Sequence, residues 1–190
     1  GNPYVLILDN GGGMSYDKLY EAMKPGSKSP LEEREEDDLG RFGLGLKTAS
    51  WSQCKRMTVY TKQKELINHL TWDLDHVSKV DNWELLVDLE QYEQEILQQK
   101  LTDIDNGTAL LWTNLDRILP ERGDDDSKKG HFYSIMGDLV TPHLSMIFHR
   151  YLERKKIEIF VGRVSCKSWD PFMSAHNATC LLYTSPSPRD

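Results

Sequence analysis

The sequence has little cysteine and no long apolar stretch. The three cysteines in 190 residues, Cys54, Cys166 and Cys180, are too few and too scattered for a disulfide framework, and no CxxC pair indicates a zinc site. No run approaches the roughly eighteen apolar residues of a membrane helix, and the N-terminus lacks the basic and apolar regions of a signal peptide. These absences predict a cytoplasmic protein without a membrane partner.

Basic residues are also in deficit. The formal net charge is -7, which argues against a surface built to wrap nucleic acid, although Arg150 to Lys156 forms a local basic strip. The six histidines show no metal-ligand spacing. Composition therefore predicts neither a metal centre nor a broad nucleic-acid surface.

Hydrophobic periodicity predicts an α/β domain with a mixed sheet. Apolar or alternating runs predict strands over Tyr4–Leu8, Met57–Lys62, Ile67–Leu74, Trp83–Leu89, Thr108–Leu115 and, ending in a turn, Lys156–Gly162. Helices are predicted from the Ser15 cap to Met23, over Leu44–Ser52, over Gln91–Leu101, and in a long later stretch interrupted at Pro142. Asn106-Gly107 predicts a turn.

The stretch "DLGRFGLGLKTAS" almost matches the phosphate-binding Walker loop, but Leu46 separates Gly45 from Lys47. The charged "EEREEDD" precedes it, where a Walker loop would follow a buried strand. The remaining interpretations are a glycine-rich turn whose free amides attract phosphate, formed by Gly40, Gly43 and Gly45, or a flexible hinge.

An earlier stretch, "LDNGGGMS", places Asp9 at a strand end before flexible backbone. A carboxylate there suits the amino group of adenine, whereas an Asx turn explains the same residues without a ligand. Between the two glycine-rich turns, Ser27 to Asp38 is polar and rich in like charge, which predicts a mobile segment.

Taken in order, these motifs and Asn106-Gly107-Thr108 resemble those of the GHKL ATPases, which include gyrase, ninety-kilodalton heat-shock chaperones, histidine kinases and MutL-type repair proteins. The resemblance runs from Tyr4 to Phe172 and is closest to the chaperone- and MORC-like branch, on "DNGGGM", "GRFGLGLKTAS" and "DPF". It implies a Bergerat-type two-layer α/β sandwich, with helices on one face of a mixed, mainly antiparallel sheet. The expected domain is 1–172, followed by a non-native or disordered tail at 173–190.

The resemblance assigns Asp9 to adenine N6, partly through water, and Gly11 and Gly13 to the shape of the base pocket. Met14 is expected to pack on the base, or simply in the core. Thr108 is expected to close the adenine side of the pocket.

For the phosphates, the resemblance assigns the amides of Gly43, Leu44, Gly45 and Leu46. Lys47 resembles a MORC-type lysine that adds positive charge there; the alternative is a solvated helix residue.

These roles imply an ATP-binding domain of a conformational switch, in which ATP orders the 27–38 segment, favours a homodimer and is hydrolysed. The family's water-activating glutamate and Mg²⁺-binding asparagine lie on a helix upstream of the "DNGGGM" strand. We therefore expect a fragment truncated at both ends, without catalytic residues of its own. The alternatives are a histidine-kinase catalytic domain and a non-catalytic nucleotide-binding module, and the client, DNA or protein, is not indicated.

Overall fold

The structure is a computed structural model that describes residues 3–24, 45–101, 104–118 and 124–179. The chain divides into two compact units, Gly1–Leu119 and Pro120–Asp190. The predicted mobile segment at 27–38, together with Gly40, Gly43 and Leu44, lies outside the described residues. The predicted domain end at residue 172 stays a prediction.

A four-stranded antiparallel sheet forms the centre of the first unit. Its strands are β1 (Val5–Asp9), β2 (Cys54–Gln63), β3 (Leu66–Asp73) and β4 (Asn106–Leu115), in the order β1-β4-β2-β3. Because β4 pairs with both β1 and β2, Asp9 lies opposite Thr108, and Thr108 lies opposite Thr61. Directly paired residues point to the same face of a sheet. Asp9, Thr108 and Thr61 therefore form a row across three strands.

One face of the sheet packs against α1 (Tyr16–Met23) and α2 (Gly45–Trp51). The side chain of Ser15 begins α1 by accepting a hydrogen bond from the Lys18 amide at 3.4 Å. The buried cluster on this face consists of Leu19, Met23, Cys54, Met57, Val59, Leu70 and Trp72. The predicted helices at these positions are confirmed.

A third helix, α4 (Gln91–Leu101), packs against the opposite face. Its Leu97 and Leu101 form a buried cluster with Tyr60, Ala109 and Leu111 of the sheet. The predicted α/β fold with a mainly antiparallel sheet is confirmed, and all pairings between the described strands are antiparallel. The prediction placed helices on one face only, whereas the apolar side of α4 covers the second.

The short helix α3 (Leu74–Val80) follows β3 directly and was not predicted. Asp73 ends the strand and begins this helix, since its Oδ1 accepts from the amides of Asp75 and His76 at 3.0 and 3.1 Å. The helix ends at Asp81, whose backbone is left-handed with φ 54°. A single aspartate thus changes the direction of the chain at the sheet edge.

Two further predictions for the first unit are wrong. Only Leu86 in the predicted strand Trp83–Leu89 pairs with the sheet, through two 2.9 Å backbone bonds to Thr71. Asn106-Gly107 begins β4 instead of forming a turn. The side-chain oxygen of Asn106 accepts from the amide of Lys64 at 2.9 Å, so Asn106 supports the neighbouring β2–β3 turn.

The second unit is mainly helical. It contains α5 (Asp125–Ser134), a π-helical segment (Ile135–Val140), α6 (Thr141–Ile147), α7 (His149–Glu153), β5 (Phe160–Val161) and β6 (Val164–Ser165). Proline lacks an amide hydrogen and crowds the preceding turn, and the wider π-helical turn accommodates Pro142 without ending the helical stretch. Of the predicted strand Lys156–Gly162, Phe160–Val161 forms a strand, which pairs with Val164–Ser165 after a turn at Gly162 (φ 61°).

The Asp170-Pro171-Phe172 motif organises a turn in this second unit. The carboxylate of Asp170 accepts from the amides of Phe172 at 2.9 Å and Ser174 at 2.7 Å. The bonds from Ser174 and Phe172 hold the pKa of Asp170 below its ordinary value. Nearby, the buried His149 lies 3.8 Å from the same carboxylate.

Candidate functional site

The end of β1 delivers Asp9 into a tight, glycine-rich turn. Asp9 is exposed, and its Oδ1 accepts from the amide of Gly11 at 2.8 Å, which is the hydrogen bond of an Asx turn. Among the described residues, no donor contacts its second oxygen, Oδ2. A carbon placed as Cβ on Gly11 would lie 2.8 Å from Oδ1, so the glycine leaves room for the carboxylate. The Asx turn therefore holds the carboxylate by one oxygen only.

Two other glycines bring this turn close to the sheet. Gly13 has φ +67°, and a Cβ there would collide with the carbonyl oxygen of Lys62 on β2. A Cβ on Gly107 would collide with the carbonyl oxygen of Asp9. These positions need glycine for backbone approach, which explains their place in the predicted motifs.

Thr61 on β2 joins the turn to β4. It is completely buried, and its Oγ1 accepts from the amide of Met14 at 2.8 Å. The same oxygen lies 3.2 Å from the Gly107 carbonyl and 3.4 Å from the Thr108 hydroxyl. Thr61 is not among the residues predicted from the sequence, because a threonine within a β-strand carries no signal beyond strand preference.

Met14 is partly buried and packs against the apolar cluster of the α1/α2 face. Its backbone is fixed on both sides, since its amide donates to Thr61 and its carbonyl accepts from Asn68 Nδ2 at 3.4 Å. Core packing thus accounts for at least part of the role of this side chain. A contact with a base stays a prediction.

The predicted phosphate-binding residues that the structure describes, Gly45, Leu46 and Lys47, form the first turn of α2. Leu46 packs against the same apolar cluster as Met14, so both predicted groups lie on one face of the sheet. Within the described residues, no atom lies within 4 Å of a Cβ placed on Gly45. Gly43 and Leu44 precede the described part of this segment.

Lys47 is buried, with 1 % of its surface exposed, and its Nζ donates to the carbonyl of Ala22 at 2.7 Å. Burial lowers the pKa of this ammonium. The alternative of a solvated helix residue is therefore wrong. The predicted phosphate contact of Lys47 stays a prediction.

The Lys47 hydrogen bond helps to complete the C-terminal end of α1, where four backbone carbonyls lack partners within the helix. The carbonyls of Tyr20 and Glu21 accept from the Lys24 amide at 3.1 and 3.2 Å, that of Ala22 from Lys47, and that of Met23 from Trp72 Nε1 at 2.9 Å. Side chains of α2 and β3 thus fix the end of α1, immediately before residues 25–44.

Among the described residues, no cluster of three or more histidine, cysteine, aspartate or glutamate side chains is suited to a metal ion. We therefore assign the Mg²⁺ implied by the resemblance to no ligands among these residues. The described part of the chain also has no helix long and apolar enough to cross a bilayer.

A cavity of about 510 Å³ opens on the opposite, α4-covered side of the sheet. Tyr60, His69, Val87 and Gln94 are among its lining residues, and none of the predicted site residues is. This cavity therefore lies away from the predicted site and gives it no support. The glycine-rich turn and the paired strand ends identify the candidate site on chemical grounds.

Comparison with known protein families gave one match. A family model described as histidine kinase-, DNA gyrase B- and HSP90-like ATPase matches residues 2–108, which is more than half of the chain. The matched region contains Asp9, the glycine-rich turn, the start of α2 and Thr108. A comparison with curated proteins found no match. The chain belongs to the family of histidine kinase-, DNA gyrase B- and HSP90-like ATPases.

Proposed function

We propose that this chain binds ATP, with the adenine at the ends of β1 and β4. The observation that carries the proposal is the pairing of Asp9 with Thr108, which brings a carboxylate and a hydroxyl side by side at the end of the sheet. The glycine-rich turn lies beside them, closely packed on β2. Members of the family bind ATP, and residues 9–12, which form the start of this turn, are exposed.

The chemistry of Asp9 suits an adenine. The N6 amino group of adenine has two hydrogens to donate, and a carboxylate is an acceptor only. Oδ1 is held by the Gly11 amide, whereas Oδ2 has no donor among the described residues and is available to N6. We assign Gly11 and Gly13 to the pocket wall, Met14 to the base and Thr108 to the adenine side.

We propose that the phosphates lie toward Gly45 and Leu46, with Gly43 and Leu44 extending the site beyond the described residues. None of the described residues fills the space that a Cβ on Gly45 would take, which supports close approach of a ligand to the backbone there. Lys47 contributes a positive charge from its position on the Ala22 carbonyl. The same ammonium would then connect the phosphate site to the end of α1.

We further propose that the chain belongs to an ATPase of the chaperone- and MORC-like branch that acts as a conformational switch. ATP would order the 27–38 segment and favour a homodimer, and hydrolysis would reverse both. The attachment of α1 and α2 to each other through Lys47 supports such coupling, because these helices flank residues 25–44. We assign neither the ligands of Mg²⁺ nor the general base to any of the described residues.

The variant Asp9→Asn tests the adenine assignment. It keeps the size of the side chain but replaces an acceptor oxygen by an amide group, so that a charge-assisted hydrogen bond to N6 is lost. We expect ATP affinity to fall by about ten- to a hundredfold, which corresponds to roughly 1.5–3 kcal/mol. Isothermal titration calorimetry of the folded variant measures this.

Asp17→Asn is the matched control, because Asp17 is an exposed aspartate in the first turn of α1. It removes the same charge and should leave ATP affinity unchanged. Unchanged affinity in a folded Asp9→Asn protein, or an equal loss in both variants, would reject the assignment of Asp9 to adenine.

A further inference from the structure

We propose that Thr61 is a positioning residue that sets the selectivity of the site for adenine. The inference rests on the proposed function and extends it to a residue that does not itself touch the base. Thr61 contacts both sides of the proposed base pocket, the turn at Met14 and the strand end at Thr108. We infer that it fixes the direction in which the Thr108 hydroxyl presents its hydrogen.

A hydroxyl group has one hydrogen to donate and two lone pairs that accept. Oγ1 of Thr61 uses one lone pair for the Met14 amide, at 2.8 Å. Its hydrogen has two candidate acceptors, the Gly107 carbonyl at 3.2 Å and the Thr108 hydroxyl at 3.4 Å. The Gly107 carbonyl is the nearer of the two acceptors, and its distance is closer to that of an ordinary hydrogen bond.

When Thr61 donates to Gly107, its second lone pair receives the hydrogen of Thr108. The hydroxyl of Thr108 then presents only lone pairs to a ligand. Asp9, directly opposite Thr108, also presents only an acceptor. Two acceptors side by side match the amino group of adenine and oppose the carbonyl oxygen that hypoxanthine and guanine carry at the same position.

This arrangement gives Thr61→Val a specific consequence. Valine has nearly the same shape but cannot accept from Met14 or from Thr108. The Thr108 hydroxyl then becomes able to rotate and donate to a ligand carbonyl. We expect the preference for ATP over inosine triphosphate to fall by about tenfold, which corresponds to about 1.4 kcal/mol, the order of one hydrogen bond.

The experiment compares ATP and inosine triphosphate affinities by calorimetry in the wild-type chain and three variants. Thr61→Ser keeps the hydroxyl and should restore the wild-type preference. Thr58→Val is the matched control, because Thr58 is also completely buried on β2 and bonded to a threonine, Thr71 Oγ1 at 2.8 Å, but on the other face of the sheet. Its nucleotide preference should equal that of the wild type.

An unchanged preference in folded Thr61→Val, or an equal loss in Thr58→Val, overturns the role of Thr61 and leaves ATP binding intact. Failure of the wild type to bind ATP instead overturns the proposed function itself. If Thr61→Val does not fold, amide hydrogen exchange of the wild type decides: a Met14 amide protected in the ATP complex supports the inference, and one that exchanges like an exposed amide rejects it.

Discussion

Three glycines near Asp9 occupy positions where a side chain would collide with neighbouring atoms. Gly11 leaves space for the carboxylate, Gly13 takes a left-handed backbone conformation against Lys62, and Gly107 lets β4 approach the Asp9 carbonyl. The first of these concerns the side chain of Asp9, and the other two concern the backbone. Substitutions at these positions should therefore separate ligand binding from folding.

Gly11→Ala should impair ATP binding without unfolding the chain. The new Cβ would lie 2.8 Å from Asp9 Oδ1, and the carboxylate is a side-chain end that moves more easily than backbone. We expect ATP affinity to fall by about tenfold, comparable to the loss of one good hydrogen bond. Calorimetry and thermal unfolding measure the two effects.

Gly12→Ala is the control for this prediction, since among the described residues nothing lies within 4 Å of a Cβ at Gly12. Its ATP affinity should match the wild type. If Gly11→Ala binds ATP as tightly as Gly12→Ala does, the carboxylate does not need its observed position.

Among the helices and strands, α4 and α3 depend most visibly on one buried network centred on Arg56. Its guanidinium binds Glu93 of α4 through two hydrogen bonds of 2.8 and 2.9 Å, and Asp73 at 2.8 Å. Burial opposes the charged form of Asp73, but the bonds from Arg56 and from the amides of His76 and Asp75 outweigh it and hold its pKa below the ordinary value. The network fixes both helices to the sheet edge.

Arg56→Ala should therefore destabilise the first unit strongly. Glu93 is completely buried, and removing its partner leaves an uncompensated charge in the interior. We expect the free energy of unfolding to fall by about 3–5 kcal/mol. Denaturant unfolding followed by tryptophan fluorescence reports this loss.

The adjacent Lys55 provides a control, because its pair with Asp75 at 3.1 Å is exposed to solvent. Lys55→Ala should change the free energy of unfolding by about 0–1 kcal/mol. Similar effects of the two substitutions would show that the buried network does not hold α4 in place.

At the scale of the whole molecule, the sequence predicted features with a local signal. The strand before Asp9, the cap at Ser15 and the α2 pattern each follow from a few consecutive residues. The prediction failed where a distant partner decides the structure. Where it ends β3 and begins α3, Asp73 is held by the distant Arg56 at 2.8 Å, and Leu86 forms its bridge with Thr71 of the neighbouring strand.

The residues of the candidate site divide in the same way. Asp9 and the glycines carry motif-level signals, whereas Thr61 and the buried position of Lys47 depend on register and on packing between elements. A lysine next to a glycine-rich turn favours a phosphate role in sequence terms. Its observed hydrogen bond to the end of α1 adds a structural role that no local pattern indicates.

The central claim is that ATP binds on the face of the sheet that packs against α1 and α2, with its adenine at Asp9. Amide chemical-shift mapping of the wild-type chain by NMR during titration with ATP tests it most directly. The account predicts saturable shifts at Gly11, Gly13, Met14, Thr108, Gly45, Leu46 and Lys47. With adenosine, the last three should lose their shifts, because they are assigned to the phosphates. No saturable shift with ATP, or shifts confined to the α4-covered cavity at His69 and Val87, would contradict the account.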